Sequence, residues 1–194
     1  MIDDRASVYH PVCERMAEYE PVLIDPEGSR RAAVAMMLRP ADSGVEMFFI
    51  QRAAHPSDPW SGQIAFPGGS YEVEDGDVFT TACRETREEV GLGLTSSMMI
   101  GCLDDQKTSN RHKGTALVIS CFVFYCPDLG LPEHNYEVSD SFWVPLSDLT
   151  DNSNAYWHQT NYRPEPFRAI RFRSGQVLWG LTYRFVSRFL TIIS

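Results

Sequence analysis

Residues 62–92 read GQIAFPGGSYEVEDGDVFTTACRETREEVGL. The half that follows Asp77 predicts a helix. Asp77 suits the N-cap, and Gly91 suits the residue just past the last turn. Glu85, Glu88 and Glu89 fall within about one third of the helix circumference, beside a stripe of Phe79, Cys83, Thr86 and Val90. One face therefore packs on a core and the adjoining face gathers carboxylates. Like charges three and four residues apart repel and weaken an isolated helix. A hard divalent cation relieves that penalty by taking oxygen ligands, and the other reading is a solvated acidic face. Ahead of the helix, Phe66-Pro67-Gly68-Gly69 closes an apolar run with a tight turn, where glycines let backbone approach a ligand closely. A glycine turn feeding a carboxylate helix points to metal and phosphate chemistry.

Outward from this stretch, apolar runs at 31–39 (RAAVAMMLR) and 45–52 (VEMFFIQR), separated by Pro40 to Gly44, predict a hairpin. Residues 53–61 form a loop with two prolines, and Ile64 to Phe66 a short strand. Downstream, Met98 to Asp104 reads as a strand, 105–114 (DQKTSNRHKG) as a polar loop, and 115–125 (TALVISCFVFY) as a strongly apolar strand. Ser141 to Val144 is a further short strand, 151–166 irregular, Phe167 to Leu178 a last hairpin about Ser174-Gly175, and Leu181 to Ile193 a closing helix. Residues 5–20 predict a helix with Val8, Val12, Met16 and Tyr19 on one side. Strands mixed with a few helices, without strict alternation, indicate an α+β or mixed-sheet sandwich. The expected organisation is an N-terminal helical extension over 1–25 and one domain over 26–194.

The chain has 194 residues, 43% of them hydrophobic, enough for one globular domain with an ample core. A net charge of −9 argues against nucleic acid and anionic membranes as partners. Lys107 and Lys113 are the only lysines, and both lie in the polar loop. The five cysteines have no C-x-x-C spacing and sit mostly in apolar segments, as reduced core thiols do. The N-terminus carries no apolar signal-like run, and no apolar run reaches membrane-span length. The expectation is a cytoplasmic protein, with homodimer formation left open.

The pattern resembles the Nudix box, Gly-x5-Glu-x7-Arg-Glu-U-x-Glu-Glu-x-Gly-U with U a bulky aliphatic, at Arg84, Glu85, Glu88, Glu89, Gly91 and Leu92. Thr86 stands at the first U. The N-terminal half is expanded by one residue, so that Gly69 lies one position too far from Arg84, Gly76 occupies the box Glu position, and Asp75 is the nearest acid. The same expansion occurs in the coenzyme A pyrophosphatase-like branch, whose Gly-Gln-x-Ala-Phe-Pro-Gly-Gly lead-in is matched throughout by Gly62 to Gly69. The resemblance implies a Nudix-type α/β/α sandwich with a mixed central sheet. It implies Mg²⁺- or Mn²⁺-dependent hydrolysis of a diphosphate linkage in a small nucleotide-type substrate, X–P–O–P–Y. In such a protein Glu85 and Glu89 are the principal metal ligands, Glu88 a further ligand or catalytic acid-base group, and the Gly69 carbonyl completes the shell. Arg84 is structural and pairs with Asp75, while Gly68 and Gly91 shape the turn and the helix end.

The general base in that family varies in position. Glu137, in Asn135-Tyr136-Glu137, stands where many members carry an acidic loop residue; it reads equally as an ordinary loop carboxylate. Asp104 and Asp105 are further candidates. For substrate contacts, Arg52 ends a core strand, Lys107, Arg111 and Lys113 make a basic loop suited to a terminal phosphate, and Trp60 can stack on a base or simply pack. One departure concerns substrate. The coenzyme A branch carries an Arg-Ser pair and then a second Arg ahead of the Gly-Gln; here Arg52 is followed by Ala53-Ala54-His55-Pro56-Ser57-Asp58-Pro59-Trp60, and that second Arg is absent. Alternatives are a nucleoside di- or triphosphate or nucleotide-sugar diphosphatase and, in another class, a non-catalytic Nudix-fold nucleotide sensor.

Overall fold

Two long apolar strands are buried on both faces, and the rest of the chain is arranged around them. In the computed structural model, which describes residues 5–42, 44–55, 60–109, 116–160 and 163–194 (backbone only at 5–10, 109, 160, 163 and 164), β1 (Arg30–Ala41) and β7 (Ala116–Tyr125) pair in parallel, from Arg30 opposite Leu117 to Leu38 opposite Tyr125. Side chains alternate across a strand. Met36 and Leu38 therefore enter one core while Ala33, Ala35 and Met37 enter another. A strand that must fill two cores reads as a continuous apolar run rather than an alternating one.

β2 (Gly44–Arg52) folds back on β1, with Ala41 opposite Gly44, as the hairpin signal predicts. β8 (Val138–Pro145) lines the outer edge of β2, β3 (Ile64–Ala65) pairs with the end of β2 on the edge that faces β1, and β4 (Gly68–Ser70) pairs antiparallel with the start of β1. β5 (Met99–Cys102) and β6 (Gln106–Ser109) pair antiparallel with successive parts of β7. The central sheet is thus mixed. One face is covered by α2 (Val78–Val90), the other by α1 (Arg5–Glu18) and α4 (Gly180–Ile193). The fold is an α/β/α sandwich.

α1 brings Val12 and Met16 into the same core as Phe185, Val186 and Phe189 of α4. Where Met16 crosses β5, Gly101 has no side chain; a Cβ there would stand 2.9 Å from the Met16 methyl and 3.2 Å from its carbonyl oxygen. Beyond α1, Asp104 accepts hydrogen bonds from the Tyr19 hydroxyl, from Arg188 Nε at 2.9 Å and from the Val22 N–H at 2.8 Å. One carboxylate ties the chain after α1 to α4.

Two segments differ from the sequence expectation. The polar loop at 105–114 contains β6, because its backbone lies along the edge of β7 that faces away from β1 and pairs with it. The segment 151–166, expected to be irregular, holds a 3-10 turn at Asn152–Asn154, β9 (Ala155–Thr160) and the beginning of β10 (Arg163–Arg171). β9, β10 and β11 (Val177–Leu178) form a separate antiparallel sheet. Phe167 of this sheet stacks on Trp179, which follows β11, with ring centroids 5.0 Å apart, and His158 meets Phe167 edge-on at 5.5 Å. One further element is longer than expected: the strand about Ser141 to Val144 extends over the whole of β8, and α3 (Leu146–Thr150) follows it as one turn. No described helix is long and apolar enough to cross a membrane.

Candidate active site

The glycine turn is fixed by how closely two elements approach it. Ala35 N–H donates to the Pro67 carbonyl at 2.8 Å, and Gly68 and Gly69 then run against Val34 and Ala33 of β1. Gly68 has φ +154°, and a Cβ on it would lie 2.2 Å from the Ala33 carbonyl oxygen. Gly69 is needed for a different reason. A Cβ on it would fall 2.4 Å from the Glu85 carboxylate. The first glycine admits the neighbouring strand, and the second admits an acid of the helix.

α2 begins and ends as its sequence predicts. Asp77 accepts the Thr80 N–H at 2.7 Å, and Gly91 sits in the left-handed region with its N–H on the Arg87 carbonyl. Ala82 and Val90 are fully buried and Phe79 and Cys83 pack against the same core. Thr86, at the position where the box has an aliphatic residue, is fully buried and donates its hydroxyl to the Ala82 carbonyl at 2.7 Å, so its polar atom costs little. On the adjoining face, Glu88 is exposed, Glu85 partly covered and Glu89 only 2% exposed.

Arg84 gathers the acids around the turn. Its guanidinium donates to both oxygens of Asp75, at 2.7 and 3.0 Å, and to Glu85 at 3.0 Å, Glu88 at 3.0 Å and the Ser70 carbonyl at 3.1 Å. Asp75 closes a one-turn helix at Val73–Asp75 and also receives the Thr81 hydroxyl at 2.8 Å and the Glu72 N–H at 3.0 Å. The Arg84 fork holds the Asp75 carboxyl well below the usual carboxylate range, despite its burial. A residue one position short of the box Glu thus reaches the motif Arg, because the one-turn helix absorbs the extra residue.

Glu89 accepts the Gly68 N–H at 2.9 Å, which joins helix to turn. Burial pushes its carboxyl up to about 7; the Gly68 N–H and the nearby Arg52 charge pull it back, while Glu85 and Glu137 add to the rise. Glu85 is raised as well, first by burial, with Arg84 opposing and Glu88 and Glu137 contributing. Glu137 and Arg52, distant in sequence, therefore stand within the field of the box carboxylates. Among the described residues no three acids, histidines or cysteines close round one point. Arg84 draws Glu85 and Glu88 to itself, and Gly68 holds Glu89.

Arg52 ends β2, its N–H on the Gln63 carbonyl and its own carbonyl accepting the Gly62 N–H. Trp60 is about half exposed in the turn before Gly62. Lys107 is exposed on β6, paired with Val118, across β7 from β1 and the glycine turn. Arg111 and Lys113 lie outside the described residues. Asp104 and Asp105 are engaged elsewhere: Asp104 as above, Asp105 by Ser120 Oγ at 2.7 Å and the Ile24 N–H at 2.9 Å. Two residues beside the site were not singled out from the sequence. Tyr136 is 87% exposed, and the adjacent Glu137 carboxylate raises its hydroxyl above the usual tyrosine value. Asn135 accepts the Glu137 N–H on its side chain at 2.8 Å. The Asn-Tyr-Glu tripeptide is a signal for such a turn, since Asn side chains bond backbone two residues on.

Known proteins share these features. An uncharacterized protein of Schizosaccharomyces pombe is 35% identical over 156 residues, covering 69% of this chain and 47% of its own length. The human mitochondrial coenzyme A diphosphatase NUDT8 is 32% identical over 157 residues, covering 78% of this chain and 66% of its own. The chain thus spans between about half and two thirds of these relatives. Among solved structures, the MutT protein from Methanosarcina mazei Go1 superposes with a TM-score of 0.56 at 16% identity, covering 90% of this chain and 97% of that one, a likeness of fold. The family model described as NUDIX domain matches residues 28–164, from just before β1 into the β9–β10 hairpin. With that match over most of its length and the Arg84-centred turn and helix in place, the chain belongs to the NUDIX family.

Proposed function

We propose that this protein hydrolyses a diphosphate linkage, X–P–O–P–Y plus water giving X–P and P–Y, in a nucleotide-type small molecule, with Mg²⁺ or Mn²⁺ as cofactor. The observation that carries the reading is that Arg84 and the Gly68 N–H hold Glu85, Glu88 and Glu89 beside a turn whose Gly69 leaves room for the Glu85 carboxylate, with the Glu137 charge felt at Glu85 and Glu89. Like charges gathered on one face oppose one another unless cations balance them. Arg84 and Arg52 supply part of that balance.

The donor set fits a hard divalent ion: carboxylate and carbonyl oxygens, with Glu89 buried. Glu85 and Glu89 would hold the ion, with Glu88 and the Gly69 carbonyl as further donors. When bound, the ion supplies neutralisation of phosphate charge. Glu137 is the group placed to accept a proton from the attacking water, and Glu88 is the second candidate. Arg84 keeps Asp75 and the turn in place. Arg52, whose charge acts on Glu89, is suited to a phosphate oxygen. The relative named as a coenzyme A diphosphatase supports a substrate of that general class.

The test is incubation with a panel of nucleotide diphosphates, with Mg²⁺, Mn²⁺ or chelator, in water enriched in heavy oxygen, and products identified by mass. Cleavage between the phosphorus atoms, with one labelled oxygen in one product and loss of turnover in chelator, is the expected result. Absence of cleavage across the panel with either ion overturns the reading.

A further inference from the structure

The loop between β7 and β8 is strapped to the end of α2. A helix leaves its last carbonyls without partners inside the helix. Here two of them are taken by the loop: Glu133 N–H donates to the Val90 carbonyl at 2.9 Å, and Asn135 N–H to the Glu89 carbonyl at 3.0 Å. Gly91 makes room for this. A Cβ at Gly91 would lie 3.3 Å from the Glu133 Cβ. From Asn135 the chain turns at once. Its side-chain oxygen accepts the Glu137 N–H at 2.8 Å, and its carbonyl accepts the Val138 N–H at 3.4 Å. The other side of Glu137 is held by β2, since the Glu137 carbonyl accepts the Ala53 N–H at 2.8 Å, one residue past Arg52. Asn135 is thus the one loop residue that bonds a box residue through its backbone and Glu137 through its side chain.

We propose that Asn135 is a positioning residue: it sets where the Glu137 carboxylate stands by locking the Glu137 backbone to the carbonyl of Glu89. This rests on the diphosphatase reading and adds to it a residue that need not touch substrate. Without the Asn135 side chain the Glu137 N–H loses its acceptor, and the loop keeps only its backbone bonds to α2. Misplacing a reacting group by about 1 Å costs up to roughly a hundredfold in rate.

The experiment is a double-mutant cycle between Asn135→Ala and Glu137→Gln, with Asn135→Asp, which retains the acceptor oxygen, as the conservative variant. Asn135→Ala is expected to lower kcat about ten- to a hundredfold with KM changed less than about twofold. In the Glu137→Gln background the same change is expected to have no further effect, because nothing remains to be positioned. Asn135→Asp is expected to keep most of the wild-type kcat. Hydrogen exchange gives a readout free of turnover: the Glu137 amide should exchange faster in Asn135→Ala, while amides of β1 and β7 stay protected. Wild-type kcat in Asn135→Ala, or an undiminished loss in the Glu137→Gln background, overturns the proposal. An inert wild-type protein counts instead against the diphosphatase reading, and an unchanged Glu137 amide in the exchange experiment then overturns the positioning on its own.

Discussion

Adjacent glycines, Gly68 and Gly69, meet different neighbours, so they should fail differently. Gly68→Ala sets a methyl against the Ala33 backbone in a conformation that favours glycine, and neither can yield. It should cost at least about 2 kcal/mol of stability. Gly69→Ala meets only the end of the Glu85 side chain, which can swing away. That variant should melt within a few degrees of wild type yet lose about tenfold or more in kcat at limiting metal. Thermal melts beside kinetics separate the two. Glu89→Gln retains an oxygen for the Gly68 N–H and removes the buried charge, so turnover should fall by about a hundredfold or more while the fold persists. Wild-type rates at limiting metal would refute the ligand assignment.

The two buried acids also impose opposite pH dependences on stability. Asp75 is held low by Arg84, so its contribution is present above the unfolded carboxylate value and is lost as pH falls through the lower folded one. Glu89 is raised to about 7, so its contribution is full below the unfolded value, about 4.3, and is lost as pH rises towards 7. In metal-free protein, denaturant titrations should show Glu89→Gln flattening the decline between about pH 4.3 and 7, whereas Asp75→Asn removes a loss confined to lower pH. A flat wild-type profile over both ranges would show that neither acid is perturbed.

Among elements, α1 illustrates how a helix ahead of the family match becomes part of the core. It contains Pro11 and has only a modest apolar side, but Met16 is 2% exposed between β5 and α4. Met16→Ala should destabilise by about 2–4 kcal/mol, without altering kcat, since α1 covers the sheet face opposite α2. A large loss of activity in folded protein would place α1 in the site instead. The elements missed from the sequence, β6 and β9, share a cause. Both are short, β6 polar and β9 a mixture of aromatic and polar residues, and the strand state comes from a neighbouring edge that needs pairing, β7 for β6 and β10 for β9.

For the whole molecule, the open question is what lies on either side of the diphosphate. The lead-in from Gly62 to Gly69 resembles the coenzyme A branch, while the segment before it lacks that branch's second Arg and carries Asp58, in 56–59, outside the described residues. Lys107 stands across β7 from the glycine turn. A 3′-phosphate favours a guanidinium fork over a carboxylate. The expected ratio of kcat/KM for coenzyme A over its 3′-dephospho form is therefore near one. A preference of a hundredfold or more would locate a 3′-phosphate contact, with Arg111 and Lys113 the first residues to replace.

The carboxylate helix, its two ends and the glycine turn were legible from residues 62–92 alone, because capping, 3.6-residue periodicity and glycine's freedom act over neighbours in sequence. The central strands were legible for a similar reason: an apolar run long enough to fill two cores has few other places to go. Spacing alone did not show that Asp75 would occupy the place of the box Glu; that followed once a one-turn helix aimed it at Arg84 and Thr81. Nor did it show that Glu137 and Arg52 would share a field with Glu85 and Glu89. That juxtaposition was decided by pairing β8 with β2 and by bonding Glu133 and Asn135 to the last carbonyls of α2, contacts whose partners lie far apart in the chain and meet only when the sheet and its helix are packed.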